Sequence, residues 1–294
     1  MITVRLKGGL GNQLFQYAAA RALAVRHHTE VAFDLSYLTR SASVRETFRE
    51  YALDAFGIIP VPPPLPEKIA FGMIRIAPGK IIQKTLQKAL SAVRYNESSS
   101  FDPNLEQRTS PRTYLNGYFL SEKYFRSVEP QLRTELRFRS SLSTPLAQKI
   151  QSTSAVSLHV RRGDYVTNPE THKLHGLCSL AYYQSAVAYL AERQPDIYLF
   201  VFSDDIAWAR AHLVFPHPVH FVDENKQDKP YLDMQLMSMC RHHIIANSSF
   251  SWWGAWLNPS PHKIVIAPEH WVADTALQAQ TRDILPNGWV KIPT

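Results

Sequence analysis

At 294 residues, with 45% hydrophobic and 19% charged side chains, the chain lies in the globular range with room for two cores, which excludes disordered and fibrous classes. No run approaches the ~20 uninterrupted apolar residues of a membrane helix, and Met1-Ile2-Thr3-Val4-Arg5 leads straight into a strand-like segment, so neither an anchor nor a signal peptide is expected. The net charge of +7 is a mild excess, scattered except at Arg161-Arg162, which favours a small anionic ligand over nucleic acid and leaves weak association with an acidic membrane surface open.

The amino end predicts a strand over residues 2–6, a glycine turn at Gly8, Gly9 and Gly11, and a helix over residues 12–28, where Leu14, Ala18, Ala22 and Val25 recur at helical spacing. A short strand over residues 31–35 completes a βαβ opening. The turn Gly8-Gly9-Leu10-Gly11-Asn12-Gln13 can bring backbone N–H groups and a helix start to a phosphate. It is neither GxGxxG nor a P-loop, so a plain tight turn is the alternative. Beyond Asp54 the pattern weakens through a proline-rich stretch, residues 60–66, and a basic helical piece follows near residues 81–93. The polar stretch at residues 140–145 sets a boundary, giving lobes 1–145 and 146–294.

From there the rhythm is regular. Apolar runs over residues 155–160, 197–202, 219–222, 243–246 and 263–267 read as strands, separated by helical segments. The clearest helix starts from Ser179 as N-cap and runs through Leu180, Tyr183, Val187 and Leu190. Such alternation implies an α/β fold with a mostly parallel sheet covered on both faces. Reactive side chains collect just after the strands: Arg161, Arg162 and Asp164; Ser203, Asp204 and Asp205; Asp223 and Glu224; Asn247, Ser248 and Ser249. Doubly wound sheets bind ligands at that edge, so these clusters describe one crevice.

The arginine pair in His159-Val160-Arg161-Arg162-Gly163-Asp164 suits a diphosphate, because each guanidinium fork matches two phosphate oxygens. A plain ion pair between Arg162 and Asp164 is the alternative. In Phe202-Ser203-Asp204-Asp205 a carboxylate can accept from guanine N1–H and its amine, or can cap the helix that starts at Ile206. Ser248 or Ser249 would cap the following helix and offer hydroxyls to phosphate, while Trp252, Trp253 and Trp256 read as core. There is no DxD, and His27-His28 and His242-His243 are adjacent pairs that point apart, so no metal site and no cofactor is expected. Cys178 and Cys240 form no CxxC, which fits free thiols in a cytoplasm.

Four segments together, Gly9-Leu10-Gly11-Asn12-Gln13, His159 through Tyr165, Phe202 through Asp205, and Ala246-Asn247-Ser248-Ser249-Phe250-Ser251-Trp252-Trp253-Gly254, resemble the bacterial α-1,2-fucosyltransferases of glycosyltransferase family 11. The HxRRxD element is shared with α-1,6- and protein O-fucosyltransferases, and the SSFSWWGAWL stretch narrows the likeness. The resemblance implies a GT-B fold of two facing Rossmann-like lobes, with GDP-fucose held mainly by the C-terminal lobe. It implies inverting, metal-independent transfer to the 2-hydroxyl of a β-galactoside such as lactose, N-acetyllactosamine or a lipid-linked O-antigen unit. Donor binding then falls to Gly9, Gly11, Asn12, Gln13, His159, Arg161, Arg162, Ser203, Asp204, Asp205, Asn247, Ser248, Ser249 and Phe250. Catalysis falls to Arg161 and Asp164, with His159 and Glu170 as further base candidates. Other GDP-fucose-dependent transfer, or GDP and glycan binding without catalysis, are the competing readings. The protein is expected in the cytoplasm, with association at the inner membrane face open.

Overall fold

In the computed structural model, which describes residues 1–38, 49–74, 79–97, 100–225 and 229–294, the chain divides into two units, Met1–Glu135 and Leu136–Thr294. Residues 136–145 therefore belong to the second unit rather than to the first. Gln235 Nε2 donates to the Ser140 carbonyl at 2.7 Å, and Leu142 packs on the second unit's core. Composition placed the boundary at a polar stretch, whereas a buried side chain's bond ties that stretch to the unit downstream.

The first unit runs β1 (Ile2–Arg5), α1 (Leu10–Arg26), β2 (Val31–Asp34), α2 (Leu65–Ala70), α3 (Gly79–Ala89), β3 (Val93–Asn96), β4 (Thr113–Asn116) and α4 (Glu129–Glu135). Its strands lie in the order β2-β1-β4-β3, all pairs parallel. Central β1 buries Ile2, Thr3 and Val4 completely, as a strand covered on both faces requires. The turn before α1 needs glycine at Gly8, where φ is +77° and a Cβ would come within 2.4 Å of Asn12 Nδ2. The basic helix ends at Ala89, short of the predicted residue 93, because Ser91 turns to φ +48° and Val93 begins β3. Polar Arg94 and Asn96 in β3, and Thr113 and Asn116 at the ends of β4, keep either strand from showing as an apolar run in the sequence. The chain leaves β1 for β2 on one side and returns through β3 and β4 on the other, so the sheet reverses direction between β1 and β4.

The second unit runs α5 (Pro145–Ser152), β5 (Ser154–Val160), α6 (Gly163–Thr167), α7 (Pro169–His175), α8 (Leu180–Ala191), β6 (Ile197–Ser203), α9 (Ile206–His212), β7 (Val219–Phe221), α10 (Pro230–Met239), β8 (His242–Ile244), α11 (Ser249–Leu257), β9 (Val265–Pro268), α12 (Thr275–Gln278) and β10 (Val290–Ile292). The parallel order β10-β9-β8-β5-β6-β7 is a doubly wound sheet that reverses between β5 and β8. One face packs Val156, Leu158 and Val160 of β5 against Tyr182, Tyr183 and Val187 of α8. The other packs Phe200 and Phe202 of β6 against Ile150, Leu236 and Met237. Ser179 caps α8 as predicted, its hydroxyl accepting from Tyr182 N.

Two sequence features resolve into core. Trp252 and Trp253 are fully buried on α11, with Trp252 Nε1 donating to the Ile284 carbonyl at 2.9 Å. His243 lies between Asn258 Nδ2, which donates to its Nε2 at 2.9 Å, and Ser157 Oγ, 2.8 Å from its Nδ1. That arrangement places the ring proton on Nδ1, and burial holds the imidazole neutral, well below the usual histidine range. Among the described residues no helix is long and apolar enough to cross a membrane.

Candidate active site

β5 stops at Val160 because Arg162, with φ −133° and ψ −62°, turns the chain into α6. That turn stands at the sheet's reversal, between the carboxyl ends of β6 and β8, which pair with β5 on either side. Gly163 lets the turn approach β6: a Cβ there would lie 2.5 Å from Asp204 Oδ2.

The arginines are braced by the carboxylates after β6. Arg161 Nη1 meets Asp204 Oδ2 at 2.7 Å, and its Nη2 donates to Asp164 Oδ1 at 2.5 Å. Burial opposes the Arg161 charge, but Asp204 and Asp164 more than offset it and raise its pKa. Arg162 donates its backbone N–H to Asp204 Oδ1 at 2.8 Å and its Nε to Asp205 Oδ2 at 3.0 Å. Its guanidinium carbon lies 3.9 Å from the centroid of the Trp208 ring, close enough for cation–π attraction. The pairing thus differs from the Arg162–Asp164 pair read from spacing, since Asp164 goes to Arg161 and Arg162 reaches across to Asp205.

Asp205 also caps α9, its Oδ1 accepting from Trp208 N at 3.1 Å, and Ser203 Oγ accepts from Asp205 N at 3.0 Å. Burial works to raise the Asp205 pKa, but the bonds from Arg162 and Trp208 outweigh it and lower the value. Of the two readings of the Asp pair, the capping one holds for Asp205, which in addition fixes the Arg162 cation.

On the β8 side, Ser248 Oγ accepts from Phe250 N at 3.3 Å and caps α11, which Ser249 opens. Asn247 is 3% exposed, and its amide donates to the carbonyls of His175 at 2.9 Å and Trp271 at 3.2 Å. Its side chain holds neighbouring loops together, and its own carbonyl accepts from Tyr165 Oη at 3.2 Å. His159, at the end of β5 and 5% exposed, lies with its ring 5.7 Å from that of Phe250. Its Nδ1 is buried without a hydrogen-bond partner among the described residues. Burial, with Arg161 adding to it, pushes its pKa down to about 3.

Three residues of this site escaped the sequence reading: Tyr165, His175 and Trp208. Tyr165 stacks on His175 at 4.7 Å between ring centroids and lies 5.4 Å from the Arg161 guanidinium carbon. His175 borders a cavity of about 300 Å³ together with Cys178, Asn247, His270, Val272 and Gln278. Burial lowers the His175 pKa, while Asp164 and Arg161 pull it in opposite directions. Aromatic residues one and three positions from Asp164 and Asp205 were the only signal for Tyr165 and Trp208; nothing in the sequence marked His175.

Other predicted residues make contacts of their own. Asp223 and Glu224 follow the edge strand β7, separated from β5 by β6, and engage Arg210 at 2.6 Å and His220 at 2.9 Å. Glu170 is exposed on α7 and, among the described residues, no hydrogen bond or ion pair ties its carboxylate to the arginines. In the first unit, Gln13 is fully buried and its amide is consumed: Nε2 donates to the carbonyls of Gly8 at 3.0 Å and Glu50 at 2.7 Å, and Oε1 accepts from Ala52 N at 3.0 Å. Gly9 is the N-cap of α1 and Gly11 is buried within it, while the Asn12 side chain lies against Gly8.

The family model described as glycosyl transferase family 11 matches residues 68–293. An α-1,2-colitosyltransferase of Escherichia coli is 35% identical over 99% of both chains. The O-antigen biosynthesis glycosyltransferase WbnK of Escherichia coli is 31% identical over 98% of this chain and 99% of that one. The galactoside 2-alpha-L-fucosyltransferase SEC1 of Bos taurus is 23% identical over 87% of this chain and 64% of that one.

Proposed function

The chain belongs to glycosyltransferase family 11, and from that premise we propose that it transfers L-fucose from GDP-β-L-fucose to the 2-hydroxyl of a terminal β-galactoside, inverting the anomeric carbon. The observation that carries this reading is the pair Arg161 and Arg162, held at the sheet reversal by Asp164, Asp204 and Asp205. A fixed cationic pair at that edge suits a nucleoside diphosphate, and it acts most strongly when GDP departs and charge builds on the β-phosphate. Because arginine supplies that charge, the reaction is proposed to run without a divalent ion. The motif likeness and the bovine relative named a galactoside 2-alpha-L-fucosyltransferase support fucose and the 2-hydroxyl.

The acceptor hydroxyl must lose a proton as it attacks. His159, with a pKa near 3, holds a proton poorly at neutral pH and is assigned a neutral hydrogen-bonding role beside the donor. Glu170 is exposed and untied to the clamp. Asp164, in contact with Arg161, is the carboxylate assigned as base.

The relative named an α-1,2-colitosyltransferase favours a second donor reading. Colitose is fucose without its 3-hydroxyl, so the same clamp and linkage serve either sugar. One assay tests both: purified protein with GDP-fucose or GDP-colitose, a panel of β-galactosides, and EDTA throughout. The expected product is an α-1,2-linked deoxyhexose from GDP-fucose; product from GDP-colitose alone selects the second reading, and no GDP release from either donor refutes both.

A further inference from the structure

The first unit's sheet reverses between β1 and β4, and just beyond β4 the backbone holds a strained residue. Phe119 adopts φ +55°, a left-handed conformation that a bulky aromatic side chain rarely takes. Its neighbours hold it there. Glu97, following β3, accepts from Tyr118 N at 2.7 Å and from Phe119 N at 3.0 Å through Oε2. At Gly117 a Cβ would fall 2.5 Å from Glu97 Cβ, so glycine is what admits that carboxylate. The Phe119 ring is fully buried against Tyr95 and Tyr124.

The consequence is a fixed presentation of Tyr118. With Phe119 anchored inward, the Tyr118 side chain stays 37% exposed, and Lys7 from the loop after β1 places Nζ 4.1 Å from its ring centroid. Beside it, Asn116 Nδ2 donates to Asn96 Oδ1 at 2.9 Å, an amide pair at the ends of β4 and β3. Strain in a backbone persists only where surrounding structure over-determines it, and it clusters at ligand sites.

We infer that the Tyr118 ring is the stacking platform for the acceptor saccharide, with the Asn96 and Asn116 amides beside it for sugar hydroxyls. The inference rests on the glycosyltransferase reading above and assigns its second substrate. A neutral sugar ring presents a C–H face to an aromatic ring and hydroxyls to amides, whereas the donor's diphosphate calls for the doubled arginines of the second unit.

The test measures lactose binding by saturation-transfer NMR, the acceptor KM, GDP binding, and GDP release from GDP-fucose without acceptor, for wild type, Tyr118→Ala and Tyr118→Trp. Tyr118→Ala is expected to raise the acceptor KM about tenfold, as an aromatic contact of this kind implies, with GDP binding and acceptor-free GDP release unchanged. Tyr118→Trp should restore the lactose signal. An unchanged acceptor KM in Tyr118→Ala, a parallel fall in GDP binding, or no lactose signal from the wild type would each overturn the inference. If the wild type releases no GDP from the donor yet lactose still binds through Tyr118, the proposed reaction fails while the saccharide site stands.

Discussion

Both units place a reversal of a parallel sheet at the end of their first strand, yet the two reversals carry opposite chemistry. After β5 the chain sets two arginines among three carboxylates, a cluster in which each charge is held by a partner. After β1 the first unit sets glycines and a lysine, which lies over a tyrosine ring that follows β4, with amides at the ends of β3 and β4. The backbone rule that opens a crevice is the same in both, so the side chains at the strand ends decide what each crevice can hold. The first is the proposed seat of the leaving diphosphate, the second the proposed platform for the acceptor.

The largest expected effect breaks the charged side. Arg161→Ala should lower kcat by about 10²–10³, the usual loss when one preorganised donor to a developing anion is removed, with the circular dichroism spectrum retained. Wild-type turnover in that variant would mean the clamp is not where GDP leaves.

A smaller effect separates the units by stability rather than chemistry. Gln13→Leu removes three hydrogen bonds of a fully buried side chain, two of which tie α1 to the segment at Glu50 and Ala52. It should cost about 2 kcal/mol of stability and leave donor KM unchanged in whatever folded protein remains. A raised donor KM with no fall in urea midpoint would show that Gln13 meets the ligand after all.

Acidification sharpens the contrast from the other direction. His159 is neutral in the folded protein until pH falls to about 3, whereas the unfolded chain takes up that proton near pH 6.5. Stability is therefore lost as pH falls below 6.5, by about 2 kcal/mol for this one group at pH 5. All six tryptophans lie in the second unit, so their emission during urea unfolding at pH 7.5 and pH 5 follows the unit that holds His159. A midpoint that does not move would deny the buried neutral imidazole.

The smallest expected effect is none: EDTA should leave turnover unchanged, because arginines are proposed to do at β5 what a divalent ion would otherwise do. Activity abolished by EDTA and restored by manganese would break that side of the comparison.

Much of the second unit was legible because its central strands β5 and β6 run seven residues each and are apolar on both faces, so each ends where polar chemistry begins. Arg161, Asp204 and Ser248 could be placed at one edge from that alone. The partners could not. Arg162 sits two positions from Asp164, yet its Nε bonds Asp205, 43 positions away, because β5 and β6 lie side by side. Asp223 and Glu224 looked equivalent to the other clusters, and only the strand order puts them on the far edge. In the first unit Arg94 and Asn96 interrupt β3, and Thr113 and Asn116 bound β4, so neither stands out as an apolar run and the Tyr118 corner had no sequence signal.

By itself the sequence determined the α/β alternation, the glycine turn, the chemistry gathered after the strands and the family, because those depend on local period, backbone freedom and residue type. The tertiary structure decided which carboxylate braces which arginine, that Gln13 is spent on its own fold, and that Phe119 is held at positive φ by Glu97. Those outcomes turn on which strands become neighbours, and hydrogen bonds a few ångströms long are set by that neighbourhood rather than by distance along the chain.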